Sequence, residues 1–317
     1  VLLTACGAPN RGPARGAVAD PVAAADATAR ADWREAADRW YAVYLADGGR
    51  DPHAMVETAR AMLALGDPES AINMVDLGLR DHPTDVDLLE MKAQVLVAMG
   101  FRRPAEKFFQ QVVEAQPRRA VSLLGLGRTR IELGLESGAV APLQEYIRIQ
   151  GGSFEAYSLL ARTMKGAKDP SGAYVAWTKA FEFPGATVQD LLSASALCLD
   201  ADVRRAHPDA TAVCRRWLED AVSIDPQCSP AHFQLGVLSE EVGAYDRAIE
   251  HYRDAVEKDP ECLMALTNLA VLYAGRSDET HTREFVQRAL QFERDTDRRR
   301  ALLRLIETFD KRPEDRP

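Results

Sequence analysis

The chain has 317 residues, 46% of them hydrophobic, enough apolar material to bury a substantial core. Its net charge of −9 leaves no basic footprint of the kind that neutralises phosphates, which argues against nucleic acid as a partner. No run reaches the roughly 18 apolar residues that span a bilayer, and the five cysteines (Cys6, Cys198, Cys214, Cys228 and Cys262) form no C-x-x-C pair and join no histidine cluster at zinc spacing, so no metal site is expected.

The chain opens Val1-Leu2-Leu3-Thr4-Ala5-Cys6-Gly7, without a methionine, as a fragment starting inside a longer apolar segment would. It resembles the end of a bacterial lipoprotein signal peptide. Leu3-Thr4-Ala5-Cys6 fits the lipobox: an aliphatic residue, two small ones, then the cysteine that is acylated and becomes the mature N-terminus. The resemblance implies that residues 1–6 close a signal peptide and that the protein reaches the membrane through acylated Cys6. Gly7 stands where an Asp would imply retention at the inner membrane, so the resemblance favours the outer membrane, facing the periplasm. Residues 7–31 are mainly Gly, Ala, Pro, Arg and Asp with almost no large apolar side chain, and read as a flexible tether. As a coil it would reach roughly 25–30 Å.

Within residues 32–51, a helix from Trp33 to Ala46 is expected to cap the N-terminal end of a repeat array. From Pro52 the chain repeats itself with a period of 34. Small residues fall in one column at Ala71, Ala105, Ala139 and Ala173, with Ala59, Ala93, Gly127 and Ala161 in another. Gly66, Gly100 and Gly134 form a third column, large apolar residues a fourth (Val75, Phe109, Leu143, Trp177), and the breakers Pro83, Pro117, Gly151 and, one place early, Pro184 a fifth. The physical reading is two antiparallel helices per row: the Gly column ends the first and the breaker column stops the second. The small columns let the paired helices approach closely, and apolar residues at i, i+3, i+4 and i+7 fill each buried stripe. The rows run 52–85, 86–119, 120–153, 154–187, 188–228, 229–262 and 263–296. The row 188–228 is seven residues too long, and its surplus lies around Asp200 to Asp209, as either an extended turn or a lengthened helix. Residues 297–317 hold a closing helix, up to about Phe309, and a tail.

These columns resemble the tetratricopeptide repeat, whose pattern is W-x₂-L-G-x₂-Y, then A-x₃-F, then P. The row from Ser229 carries Leu235-Gly236, Gly243, Tyr245, Ala248, Tyr252, Ala255 and Pro260, with His232 where the pattern prefers Trp and Ser239 where it prefers Tyr. The resemblance implies an all-α fold: a right-handed superhelical solenoid of antiparallel helix pairs, about seven repeats plus capping helices, forming one elongated domain.

No catalytic signature is present: no H-E-x-x-H, G-x-S-x-G, P-loop or EF-hand loop. The protein is therefore expected not to be an enzyme and to need neither cofactor nor small-molecule substrate. Gly125-Leu126-Gly127 lacks the third glycine of a nucleotide loop and reads as packing. Cys198 and Cys214 lie on the two helices of one row, most simply as small buried side chains, with a disulfide permitted in an oxidising compartment.

In the resembled family the first helices line a concave groove that holds a peptide or helix of another protein. Carried over by column, the groove residues are Arg60 and Leu63, then Glu90 and Gln94, then Leu124, Arg128 and Ile131. Further along they are Arg162, Lys165 and Leu192, then Phe233, Val237 and Glu240. Arg128 and Arg162, with Lys165 nearby, suggest a basic cluster suited to a carboxylate unless they pair with Glu132 and Glu155. The family's Lys- and Asn-based clamp for chaperone tails is missing, since Glu90, Leu124 and Ser158 occupy its column. The expectation is a lipid-anchored scaffold of the bacterial envelope, recruiting partners for outer-membrane, pilus or secretion, or cell-wall assembly; the alternative is a soluble cytoplasmic adaptor without an anchor.

Overall fold

The structure is a computed structural model that describes residues 19–310. The lipobox and Cys6 lie outside the described residues. All regular structure among these residues is helical, with helices packed in consecutive pairs, and none of the helices is long and apolar enough to cross a membrane. Where one elongated domain was expected, the chain divides into two compact units at Lys168/Asp169, in the turn inside the fourth row.

The first unit contains α1 (Pro21–Ala29), α2 (Trp33–Ala46), α3 (Pro52–Ala64), α4 (Pro68–Asp81), α5 (Val86–Ala98), α6 (Arg102–Ala115), α7 (Ala120–Glu132), α8 (Glu136–Gln150) and α9 (Phe154–Gly166). Aspartates begin several of these helices: Asp51, Asp67 and Asp85 accept from the amides of His53, Ser70 and Leu88, and Pro52 and Pro68 occupy the first turn. The first helices of the first three rows end on Gly66, Gly100 and Gly134 with φ of 78°, 85° and 71°. The same turn position holds Lys168 at φ 63° and, in the second unit, Ser277 at φ 59°. Ala71, Ala105 and Ala139 are fully buried, as are Val75 and Leu143. A Cβ added at Gly127 would lie 2.6 Å from Leu143 Cδ2, so the small column is set by close helix approach.

The expected tether over 7–31 is corrected at its end, because residues 21–29 form α1, packed against α2. Asp20 accepts from the amides of Val22 and Ala23, Pro21 fits the first turn, and the alanines beyond it are the strongest helix formers. Ala24 and Ala27 are fully buried, and Trp40 Nε1 donates to Thr28 Oγ1 at 3.0 Å. The helix α2 is thus the second member of a hairpin, and Ala31, at φ 56°, makes the turn between the two.

The second unit contains α10 (Pro170–Ala180), α11 (Val188–Ser195), a 3₁₀ turn (Ala196–Leu199), α12 (Ala201–Ala206), α13 (Ala210–Ile224), α14 (Ser229–Glu241), α15 (Tyr245–Lys258), α16 (Leu263–Gly275), α17 (Glu279–Phe292) and α18 (Thr296–Asp310). The surplus of the fifth row is neither a bare turn nor a longer helix: it is the separate helix α12, capped by Asp200 and anchored by fully buried Val203. Beyond α12, the His207 ring lies 4.7 Å from that of Tyr174, and Ser171 Oγ is 3.0 Å from His207 Nε2. Cys198 and Cys214 are joined as a disulfide, their Cα atoms 6.5 Å apart. At the far end α18 packs on α16 and α17 through Leu302, and Arg299 Nη1 donates to the carbonyls of Leu290 and Glu293, both at 2.7 Å, satisfying the end of α17.

Candidate partner-binding surface

The first helices α3, α5, α7 and α9 carry the expected groove residues of the first unit. Arg60 is exposed and 3.4 Å from Glu57, its neighbour one turn away. Gln94, Leu124 and Ile131 are half-buried. Glu90 is inside the unit: Arg119 reaches it from the start of α7 with Nε at 3.0 Å and Nη2 at 2.8 Å, and Ser122 Oγ donates to the same carboxylate. Hydrogen bonding to Glu90 is the main reason the Arg119 guanidinium holds its proton more firmly than usual. The carboxylate of Glu90 is thus engaged in fastening α5 to α7.

Arg128, Arg162 and Lys165 are all exposed. Arg128 forms an ion pair with Glu155 of α9, whereas Glu132 is taken by Arg102 at 2.7 Å. Glu155 and Arg162 are seven residues apart, two turns on one side of α9, and Lys165 follows at i+3. The pair therefore brings Arg128 to the side of α9 that presents the other two cations. Three cations thus line one exposed strip of an acidic protein. An ion pair as exposed as Arg128–Glu155 contributes little to stability, so it is open to exchange with a partner's carboxylates.

In the second unit Phe233 and Val237 of α14 are half-buried against the core of α15–α17, with the Phe233 ring 5.7 Å from that of Tyr252. Tyr252 Oη donates to Glu240 Oε2 at 2.9 Å, and burial, then that hydrogen bond, raises the phenol's pKa above its usual value. Cys228 and Cys262 immediately precede α14 and α16, equivalent places one row apart. The structure also gathers residues that sequence reasoning left scattered: His232 of α14 with His251 and Asp254 of α15. Burial pushes the His251 imidazole below its ordinary pKa.

Residues 200–261 and 233–298 match the Tetratricopeptide repeat family model. Tetratricopeptide repeats are thus shown for residues 200–298, and the helices that precede them have the same layout. Over 93 residues it is 31% identical to the probable biofilm formation methyltransferase WspC of Pseudomonas putida, a match covering 29% of this chain and 21% of that protein. The chain thus spans about a fifth of the length of that curated relative. Among solved structures, the C-terminal part of a TPR repeat-containing protein from Cytophaga hutchinsonii is similar in fold: TM-score 0.55, 15% identity, 78% of this chain and 98% of that one. A tetratricopeptide repeat protein from Parabacteroides merdae matches with a TM-score of 0.45 and 14% identity over 80% of this chain and 98% of its own.

Proposed function

We propose that this protein is a non-enzymatic scaffold that binds other proteins, taking an acidic segment of a partner along α7 and α9 of its first unit. The observation that carries the reading is the exposed strip of Arg128, Arg162 and Lys165 on a chain of net charge −9. Guanidinium groups hold carboxylates bidentately, and Glu155 is a built-in competitor that an incoming acidic peptide displaces. The scaffold is anchored in the bacterial envelope by acylated Cys6 and serves outer-membrane, pilus or secretion, or cell-wall assembly. What supports the location is the Leu3-Thr4-Ala5-Cys6 sequence, together with a Cys198–Cys214 disulfide of a kind that persists in oxidising compartments.

Two experiments test the halves separately. Arg128→Glu with Arg162→Glu should abolish cross-linking of the partner to a photoreactive group placed at Lys165, with helicity unchanged; undiminished cross-linking would remove the strip from the function. For the anchor, the full-length protein and its Cys6→Ser variant are fractionated in the native host, with acyl-chain mass spectrometry on the N-terminal peptide. Acylated Cys6, with the variant released from membranes, is the expected result. A soluble, unmodified wild type would discard the anchor and leave a cytoplasmic adaptor.

A further inference from the structure

His232 stands on α14 where the repeat pattern prefers tryptophan, and the residue is 9% exposed. Its Nε2 lies 3.4 Å from the carbonyl oxygen of Pro226. A carbonyl only accepts, so this contact is a hydrogen bond when the ring proton is on Nε2, the tautomer that leaves a lone pair at Nδ1. That Nδ1 is buried without a hydrogen-bond partner and is 3.6 Å from Oδ2 of Asp254, another acceptor. Two facing acceptors are unfavourable unless a hydrogen-bond donor or a positive charge comes between them: a water molecule, a second ring proton or a cation.

The other residues on α15 bear on that choice. His251 lies one turn before Asp254 on the same helix, and one nitrogen from each imidazole and one oxygen of Asp254 lie within 4.8 Å of one another. His251 Nδ1 is also buried and unpartnered. A proton on His232 satisfies its contact with Asp254 and offers nothing to a second imidazole, whereas a metal ion accepts electron pairs from all three. The surroundings are negative, with Asp254, Glu250 and Glu219 acting on His251 and Glu257 close enough to feel His232.

We propose that His232, His251 and Asp254 form a binding site for a divalent transition cation of the zinc type, held by two imidazole nitrogens and one carboxylate oxygen. Imidazole with carboxylate is a donor set suited to zinc and its neighbours in the first transition row. Ligands in a tetrahedral site with bonds near 2.1 Å stand about 3.4 Å apart, so the His232–Asp254 separation is already close. The Asp254 side chain is 46% exposed and can turn to close the remainder, which also gives an ion a way in from solvent. The carbonyl of Pro226 behind His232 is the outer support that ligating histidines usually have. The ion would clip α14 to α15 within one repeat, with its remaining positions taken by water or by a side chain of a bound protein.

The test uses the full chain stripped with a chelator and titrated with Zn²⁺ by calorimetry, then with Co²⁺ followed by visible absorption. One tight equivalent is expected, with cobalt bands typical of nitrogen and oxygen ligands and without the thiolate charge-transfer band that Cys228 or Cys262 would produce. His251→Ala and Asp254→Asn should each weaken zinc at least ~10-fold, and zinc should raise the melting temperature of the wild type but not of these variants. Asp254→Asn, being half-exposed, decides the matter if a histidine variant loses helicity. Equal affinity in wild type and variants, thiolate bands, or binding only at millimolar zinc would each overturn the site.

Discussion

Each unit buries a polar group: Glu90, in a column expected to face the groove, in the first, and His232, where the pattern prefers tryptophan, in the second. Around Glu90 the surroundings close completely, because Arg119, at the end of its own row, and Ser122, in the next, donate to both carboxylate oxygens. Around His232 they do not close, and Nδ1 faces another acceptor. A buried polar group that its neighbours saturate joins consecutive rows. One whose lone pair is left over is available to something from outside the chain.

The largest expected effect breaks the closed cluster. Arg119→Ala strands a buried carboxylate and should cost about 3 kcal/mol, the lower end for a broken buried pair because Arg119 is partly exposed. Denaturant unfolding measures it, and adding Glu90→Leu to Arg119→Leu should recover most of the loss if the cost lies in the unpaired charge. The second unit has a covalent counterpart in Cys198–Cys214, 16 residues apart in sequence. Cys214→Ser should cost about 2–3 kcal/mol, and reductant should destabilise the wild type while leaving the variant unchanged. A smaller effect tests the helix contact beside the open cluster: a Cβ at Gly236 would stand 2.5 Å from the Tyr252 ring, so Gly236→Ala should cost about 1–3 kcal/mol. Gly138→Ala in α8, where the nearest atom is 3.5 Å away on Arg130, should instead be neutral or stabilising by up to about 1 kcal/mol.

The smallest effect is a pH dependence. Asp278 caps α17, and hydrogen bonds first from the backbone of His281 and then from its ring lower the carboxyl below its usual 3.8. A depressed folded-state value means the contribution is complete above that pH and is lost as the pH falls through the depressed value. The difference in urea midpoint between wild type and Asp278→Ala should therefore hold at neutral pH and shrink only below 3.8.

The period of 34 was legible because its columns answer to fixed mechanical demands: a left-handed turn at Gly66, Gly100 and Gly134, and no room beside Leu143 at Gly127. Helix α1 was not legible, since a helix that packs through Ala24 and Ala27 has the composition of a linker and shows itself only when its partner is placed against it. Arg128, Arg162 and Lys165 were singled out by the columns expected to face a groove, and all three are exposed. The burial of Glu90 did not, because Arg119, which fastens it, lies outside the helical columns, in the turn before α7. His232 was visible as a departure from the tryptophan position, but no repeat column marks His251 or Asp254. What joins them is the pairing of α14 with α15, and no spacing rule within one helix expresses that.

Three turns, at Ala31, Lys168 and Ser277, place a side chain where the backbone is left-handed. Each such residue is strained by roughly 1 kcal/mol. Replacing all three with glycine would release this reserve without altering the cationic strip or the histidine pair. The outcome would be a hardier specimen, better able to withstand the loss of stability that substitutions at either site bring with them.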